Sequence, residues 1–324
     1  MSLWSDYRRS LKSPDVEEPI DLWVHRPLAF VLARALLPTP VSPDFVTLLS
    51  IVFGVAAGGC IYASFHGHFQ VAGLLIFASI VFDCADGQLA RMRGTSSVIG
   101  RMLDGSADLL TTLATAPATL WVIARMYAGD GHPPWLPYLV GAIGVFAMVT
   151  SSFHTSLYDH YKNVYLRFTG TSGDNDDYEA AAARYATTGG MPARPIARLV
   201  VPIYLMYLKG QRDQVHAYDP YTSTRITLFP AFEASRGELF RAACLPTLRV
   251  WRGLFGFGSL MFGIAVSLIL ERPDLYLAFR LLVLNGIFYG WLRSAQRRAS
   301  RAAFERMGLT LPDQPQAATA EARS

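Results

Sequence analysis

Cysteine is scarce in this sequence of 324 residues, and its three cysteines are too far apart to form a recognisable site. Cys60, Cys84 and Cys244 match no zinc-ligand or redox spacing, so we interpret them as small apolar packing residues. Charge is scarce as well: charged residues make up 17% of the chain, and the formal net charge is only +4. That excess is too small to indicate nucleic acid as a partner. The charged amino terminus lacks the apolar segment of a secretory signal, so we expect no such signal there.

Long apolar runs are what the sequence has in abundance. Hydrophobic residues make up 52% of the chain, and the mean hydropathy is +0.26. Runs of 18 or more apolar residues are typical of bilayer spans, because about 20 helical residues cross a hydrocarbon core of about 30 Å. The runs do not alternate, which favours helices over a barrel. We therefore predict an all-α polytopic membrane protein with six spans, at residues 45–64, 69–91, 100–127, 135–154, 250–270 and 275–293.

The distribution of basic residues orients these spans. The loops that we assign to the cytoplasm are rich in Arg and Lys, whereas two of the opposite loops (FHGHFQ and YAGDGHPPW) contain neither and the third contributes only Arg272. By the positive-inside rule this places both termini in the cytoplasm, in the inner membrane if the protein is bacterial.

The spans divide the chain into three parts. Residues 1–44 form a cytoplasmic amino terminus, in which residues 22–37 are predicted to be a helix lying in the membrane interface. Residues 45–298 form the membrane domain, with a cytoplasmic insertion at 158–249. The insertion contains an apolar run, ARLVVPIYLMYL, that is too short to span and is interrupted by Pro202, so we expect an interfacial or re-entrant helix. Residues 299–324 form a polar tail, for which we expect disorder after Gly308.

Four aspartates interrupt the second and third spans where each meets the cytoplasmic edge. Asp83 and Asp86 are three residues apart on one predicted helix, and Asp104 and Asp108 are four apart on the next, so each pair shares a helix face. Roughly 14 apolar residues separate each pair from the far side of the membrane, which puts both pairs at a similar depth. Antiparallel helices joined by a short loop would bring the four carboxylates together. Ionisable groups inside a membrane indicate function.

Clustered carboxylates of this kind require a cation. Four of them cannot all stay charged in one partly dry pocket without compensation. An all-oxygen ligand set without His or Cys suits Mg²⁺, Mn²⁺ or Ca²⁺ rather than zinc. Two such ions commonly hold a diphosphate while one of its oxygens leaves. Small residues at positions 87, 90 and 100 leave room for a ligand, and Arg91 could pair with a phosphate.

The pattern Asp83-x2-Asp86-Gly87-x2-Ala90-Arg91-x8-Gly100-x3-Asp104-x3-Asp108 resembles the signature of the CDP-alcohol phosphotransferase family. Eight fixed positions would match by chance with a frequency on the order of 10⁻⁹. The six spans, the interfacial helix and the stretch from Ser42 to Thr47 also resemble that family, over about residues 22–298. The chain departs from the family where Asp44 replaces the usual Asn, and its 158–249 insertion is longer than in compact members.

The resemblance implies a metal-dependent enzyme of phospholipid synthesis. It implies transfer of a phospho-alcohol from a CDP-linked donor, most commonly CDP-diacylglycerol, to the hydroxyl of a polyol or polyol phosphate, with release of CMP. It also implies two Mg²⁺ or Mn²⁺ ions per subunit and a homodimer. The metal ligands would be Asp83, Asp86, Asp104 and Asp108, with Asp108 also the general base. The residues along the CDP group would be Gly87, Ala90, Arg91 and Gly100.

The acceptor site and the direction of transfer stay open. Lys162, Arg280 and Arg293 are candidate ligands for a phosphate on the acceptor, although basic residues at such positions also serve as membrane anchors. Transfer from CDP-choline or CDP-ethanolamine to diacylglycerol would use the same signature. A cation or proton transporter is a remote alternative, because it predicts carboxylates near the midplane in two related halves. A purely structural membrane protein gives no reason for four clustered acids.

Overall fold

The computed structural model describes residues 3–11, 13–63, 65–95, 98–129, 131–170, 195–223 and 234–309, but not the side chains of residues 98–106 and of most residues from 195 to 204. The predicted disordered tail lies outside these ranges from residue 310 onward. The described residues fold as helices, with no strand among them. The helices are α1 (Leu3–Ser10), α2 (Arg26–Leu36), α3 (Pro43–Tyr62), α4 (His68–Arg93), α5 (Val98–Met126), α6 (Leu136–Thr169), α7 (Pro195–Tyr218), α8 (Pro220–Ser223), α9 (Ala234–Leu254), α10 (Phe257–Ile269) and α11 (Pro273–Arg306).

The prediction of six membrane-spanning helices is confirmed. Among the described residues, six helical segments are long and apolar enough to cross a bilayer, and α9 and α10 together supply one of them. The apolar insertion run lies in α7, which is not one of these six. The predicted interfacial helix at 22–37 consists of a π-helical turn, Asp21–His25, followed by α2. The chain is therefore an all-α integral membrane protein.

Both helices that carry the aspartates, α4 and α5, pack along α3. Glycines allow this close contact. A Cβ atom on Gly58 would lie 2.5 Å from the Ala114 carbonyl oxygen of α5, and one on Gly54 would lie 2.3 Å from the Thr111 hydroxyl. In the described part of the chain α4 and α5 barely touch each other directly. Helix α3 therefore contacts both helices that carry the aspartates, and we call the region between them, with α3 as its floor, the groove.

Three helices extend beyond the membrane at the end of the bundle where α4 finishes and α5 begins, which we call the site end. Helix α6 has 34 residues and is therefore roughly 50 Å long, well beyond the bilayer core. Its last turns pack with α9, α11 and the short helix α8 around a second hydrophobic core. Large members of this core are Tyr165, Phe240, Trp251 and Phe304. The two ends of the predicted insertion, residues 158–169 and 234–249, are thus continuations of α6 and α9.

A buried polar network fixes this second core. Asp219 is fully buried, and its carboxylate accepts hydrogen bonds from the Ser300 hydroxyl at 2.6 Å and the Tyr221 backbone N–H at 3.2 Å. Gln296 on α11 donates to Ser300 and accepts from the Trp251 indole N–H. Burial raises the pKa of Asp219 to about 6, because the charged form loses its hydration there.

Candidate active site

The first aspartate pair lies on the last turns of α4. The helix continues through both residues and ends at Gly94, whose φ of 66° lets its N–H bond back to Ala90 and Arg91 carbonyl oxygens. Asp86 is buried, with 6% of its surface exposed. Its Oδ2 accepts a hydrogen bond of 2.5 Å from the hydroxyl of buried Thr47 on α3. The floor of the groove therefore fixes the orientation of this carboxylate.

The second aspartate pair lies near the start of α5. Asp104 falls within the helix, but its side chain is outside the described set, and Gly100 stands in the first turn. Asp108 is half-buried one turn further on, on the same helix face. Among the described side chains, which do not include that of Asp104, no three His, Cys, Asp or Glu residues lie close enough together to hold a metal ion. The structure thus places the two pairs on the two helices that flank the groove, and the four-carboxylate metal site stays a prediction.

The predicted donor-binding residues continue along α4. Arg91 folds back over Gly87, since a Cβ atom added there would lie 3.4 Å from Arg91 Nη1 and 3.5 Å from Nη2. Arg91 Nε donates a hydrogen bond of 2.6 Å to the Ser10 carbonyl oxygen. The neighbouring Gln88, which is buried, donates to the Ser10 hydroxyl at 3.2 Å. The amino-terminal segment therefore contacts the donor-binding stretch directly.

Arg93 has a different role from Arg91, although both end the same helix. Its guanidinium donates to the carbonyl oxygens of Val41, Leu36 and Thr39, at 2.5, 2.8 and 2.8 Å. These groups belong to the end of α2 and the loop into α3. Arg93 thus caps a helix and holds a loop, which is a structural role.

A buried ion pair lies beside the first aspartate pair. Arg26 Nη2 is 3.2 Å from Glu17 Oε2, and both side chains are buried. Burial acts to lower the pKa of Arg26, but the surrounding acidic side chains outweigh it and raise that pKa. Those side chains are, in order of effect, Cys84, Glu17, Asp21 and Asp83. A permanent positive charge therefore stands near Asp83.

Glu18 closes the break between α9 and α10. Its carboxylate accepts hydrogen bonds from the backbone N–H groups of Gly258 and Ser259, at 3.1 and 2.7 Å, and from the Ser259 hydroxyl at 2.7 Å. A Cβ atom on Gly256 would overlap this carboxylate, so a larger residue there would displace Glu18 from its present position. Burial, assisted by the nearby Asp21 charge, raises the pKa of Glu18 to about 7.

The three candidate acceptor ligands lie in different environments. Lys162 Nζ pairs with Asp159 at 2.7 Å, and the exposed Arg293 lies over the ring of Tyr218. Arg280 differs from both, because it is a membrane-helix residue with only 5% of its surface exposed. It stands in a π-helical segment of α11, Phe279–Leu284, and π-helical segments are frequent at functional sites.

Among the described residues, Arg280 contacts hydroxyl groups and pairs with no carboxylate. Its Nε donates to the Ser151 hydroxyl at 2.7 Å, and its Nη1 lies 3.4 Å from the Tyr276 hydroxyl. Its Nη2 is buried without a hydrogen-bond partner among the described groups, as is Nε2 of His154 nearby. Tyr276 also donates to the Leu260 carbonyl oxygen in the first turn of α10, the turn that Glu18 caps. Arg280 is therefore a buried cation with unused donor capacity, connected to the amino-terminal segment through polar groups.

Sequence reasoning missed several residues of this region. Thr47 belongs to the Ser42–Thr47 stretch that resembles the family, but its contact with Asp86 was not predicted. Arg26 falls within the predicted interfacial helix, and its ion pair with Glu17 was not predicted. Ser10 carried no signal, because the contact that matters most is made by its backbone carbonyl.

Comparison with known proteins connects this arrangement to a family. The sequence model described as CDP-alcohol phosphatidyltransferase matches residues 40–209, slightly more than half of the chain and including both aspartate pairs. The bifunctional IPC transferase and DIPP synthase of Rubrobacter xylanophilus is 31% identical over 166 residues, covering 51% of this chain and 34% of that protein.

Two further relatives match over shorter stretches. The phosphatidylinositol phosphate synthase of Mycobacterium tuberculosis is 31% identical over 93 residues, covering 29% of this chain and 42% of that protein. The CDP-diacylglycerol–serine O-phosphatidyltransferase of Methanocaldococcus jannaschii is 39% identical over 77 residues, covering 24% of this chain and 33% of that protein. The matches span only about a third to two fifths of the curated relatives' length.

Proposed function

Because the chain belongs to the CDP-alcohol phosphatidyltransferase family, we propose that it transfers a phosphatidyl group from CDP-diacylglycerol to the hydroxyl of an alcohol acceptor and releases CMP. The observation that carries this proposal is the pair of aspartate-bearing helices, α4 and α5, that flank one groove floored by α3. The groove lies at the end of a six-span bundle, where a lipid-linked donor can reach it from the bilayer. The names of three relatives fit a transfer of this class.

The side chains of the groove suit a divalent cation. Asp83, Asp86, Asp104 and Asp108 offer carboxylate oxygens only, which Mg²⁺ and Mn²⁺ prefer. The Thr47 hydroxyl donates to Asp86, and such contacts orient metal-ligating carboxylates. We propose two ions per subunit, held by these aspartates. When bound, they would supply charge neutralisation for the donor diphosphate.

The chain's own residues divide the remaining work. Arg91, lying over Gly87, would hold donor phosphate oxygens. Asp108 would take the proton of the acceptor hydroxyl as that oxygen forms its bond to the phosphorus that carries the lipid. The bond from this phosphorus to the bridging oxygen breaks, and CMP leaves with the electron pair.

We assign the acceptor's anionic group to Arg280. Its guanidinium is buried and retains a nitrogen without a partner, so a phosphate or carboxylate would supply the missing acceptor. Lys162 and Arg293 are weaker candidates, because an Asp and a Tyr ring already engage them. We further propose a homodimer whose site end faces the cytoplasm, as the Arg-rich loops favour.

The test is a substrate panel with the purified protein. CDP-diacylglycerol, CDP-choline and CDP-ethanolamine would each be combined with inositol phosphate, glycerol phosphate, serine, inositol or diacylglycerol, and CMP release followed. We expect turnover with CDP-diacylglycerol and an anionic acceptor. Arg280→Gln should raise the KM for that acceptor while leaving the donor KM unchanged. Turnover confined to CDP-choline or CDP-ethanolamine with diacylglycerol would replace the proposal with the reverse transfer.

A further inference from the structure

The amino-terminal segment lies across the site end of the bundle as an anchored strap, defined as residues 10–18 apart from residue 12, which is not described. Side chains of three helices hold it in place. Asp15 pairs with Arg241 of α9 at 3.0 Å and accepts a hydrogen bond from Tyr165 of α6 at 2.7 Å. Arg252 donates to the Pro14 and Glu17 carbonyl oxygens, and Glu18 caps α10. These contacts fix the strap relative to the membrane helices.

The end of the strap that joins α1 contacts α4 beside the aspartates. Ser10 accepts hydrogen bonds from Arg91 Nε, through its carbonyl oxygen, and from Gln88, through its hydroxyl. On a helix with about 3.6 residues per turn, Gly87 and Arg91 adjoin the face that carries Asp83 and Asp86. Thr47 of α3 contacts Asp86 from the other flank of that face. The strap and α3 therefore both contact the part of α4 that carries Asp86, Gln88 and Arg91.

We propose that Ser10 is a positioning residue of the donor site: its carbonyl oxygen holds Arg91 so that the terminal guanidinium nitrogens lie over Gly87, facing the donor phosphates. This inference rests on the proposed function, in which Arg91 binds the donor. A long Arg side chain loses rotamer freedom on binding, and the Ser10 contact removes part of that cost before the donor arrives.

The guanidinium group suits this double role. Its planar fork lets Nε bond to Ser10 while Nη1 and Nη2 point elsewhere, whereas a Lys has a single nitrogen for both tasks. A strap that merely covered the groove would contact Arg91 through its outer nitrogens. Here the contact uses Nε, and the outer nitrogens lie over Gly87.

The experiment compares two substitutions at one position in the full-length enzyme. Ser10→Pro displaces the carbonyl, since proline disturbs the end of α1 and the residue before it. Ser10→Ala keeps the carbonyl and loses only the hydroxyl. We expect Ser10→Pro to raise the KM for CDP-diacylglycerol about tenfold with kcat within about twofold, and Ser10→Ala to change either constant less than about threefold. An unchanged or lower donor KM in Ser10→Pro would overturn the proposal and favour an inhibitory plug.

A double-mutant cycle with Arg91→Ala separates positioning from general structural damage. If Ser10 acts through Arg91, Ser10→Pro has no further effect on donor KM in the Arg91→Ala background. Additive effects would overturn the proposal. If Ser10→Pro does not fold, Arg91→Lys decides: a wild-type donor KM in that variant would refute the two-contact role.

Titration of each protein with CDP and Mg²⁺ distinguishes failure of this inference from failure of the proposed function. Wild-type binding that Arg91→Ala weakens, but that Ser10→Pro leaves intact, contradicts the inference alone. No CDP binding by the wild-type protein contradicts the proposed function itself.

Discussion

Removing the Thr47 hydroxyl tests whether α3 orients the Asp86 carboxylate for metal binding. The hydroxyl lies 2.5 Å from Asp86 Oδ2 and 3.2 Å from the Pro43 carbonyl oxygen. It has one proton to donate, and the carboxylate is the stronger acceptor. Thr47→Val preserves the shape of the buried side chain and removes this bond, so that a methyl group faces a buried Asp86 oxygen.

The size of the effect follows from the kind of bond that is lost. A hydrogen bond to a charged group contributes about 1.5–3 kcal/mol, which corresponds to roughly 10- to 150-fold in an equilibrium constant. Loss of an outer-shell partner of a metal ligand typically lowers metal affinity about 10- to 100-fold. We therefore expect the Mg²⁺ concentration for half-maximal CMP release to rise about 10- to 100-fold in Thr47→Val, with most of kcat recovered at saturating Mg²⁺.

Two control variants make this result specific. Thr47→Ser keeps the hydroxyl and should stay within about threefold of the wild type in its Mg²⁺ dependence. Thr115→Val removes an equally buried hydroxyl, one that bonds only to the Thr111 carbonyl of its own helix, and should leave the Mg²⁺ dependence unchanged. A wild-type Mg²⁺ titration for Thr47→Val, or an equal shift in Thr115→Val, would refute the reasoning.

Three further predictions concern the base, the topology and pH. Asp108→Asn should lower turnover by a factor of about 10²–10⁴ while donor affinity stays within about tenfold of the wild type. Asp86→Asn should instead weaken the Mg²⁺-dependent binding of the donor. If titrations show that both variants lose donor binding equally, Asp108 is not the base. Cysteine labelling in intact vesicles should place Thr95 and Gly131 on opposite sides, and finding them on one side would contradict the six-span topology. The raised pKa of Asp219, about 6 against an ordinary 3.8, gives stability that is complete below 3.8 and lost as pH rises through 6. The free energy of unfolding of the wild type relative to Asp219→Asn should therefore fall by about 2.5 kcal/mol between pH 4 and pH 7 in parallel denaturation curves, and a pH-independent difference would contradict it.

The membrane part of the fold could be predicted because the bilayer sets helix length. The predicted first span, 45–64, corresponds to α3 (Pro43–Tyr62). The predicted ends of the other spans agree similarly well on the side of the membrane opposite the site end. The extensions of α6, α9 and α11 could not be read in this way. At the site end these helices are amphipathic and pack around Tyr165, Trp251 and Phe304. Because they lack a continuous apolar run there, their sequence looks like that of a polar loop.

The candidate site divides along a similar line. Helical spacing was enough to put Asp83 with Asp86 and Asp104 with Asp108. It could not show that α3 packs against both helices, because that packing depends on glycine contacts between distant segments. The strap was missed for a different reason: much of its docking uses backbone carbonyl oxygens, which every residue has and which leave no mark in a sequence.

The central claim is that the four aspartates form a metal-dependent catalytic site. Its most direct test is to measure CMP release from CDP-diacylglycerol by the wild type, Asp83→Asn and Asp104→Asn, in Mg²⁺ and again in excess EDTA. The acceptor is the one that the substrate panel selects. The account predicts turnover by the wild type in Mg²⁺, none in EDTA, and none by either variant, while both variants still fold and insert in the membrane. Full turnover in EDTA, or a near wild-type rate for either variant, would contradict a catalytic site built on these four aspartates.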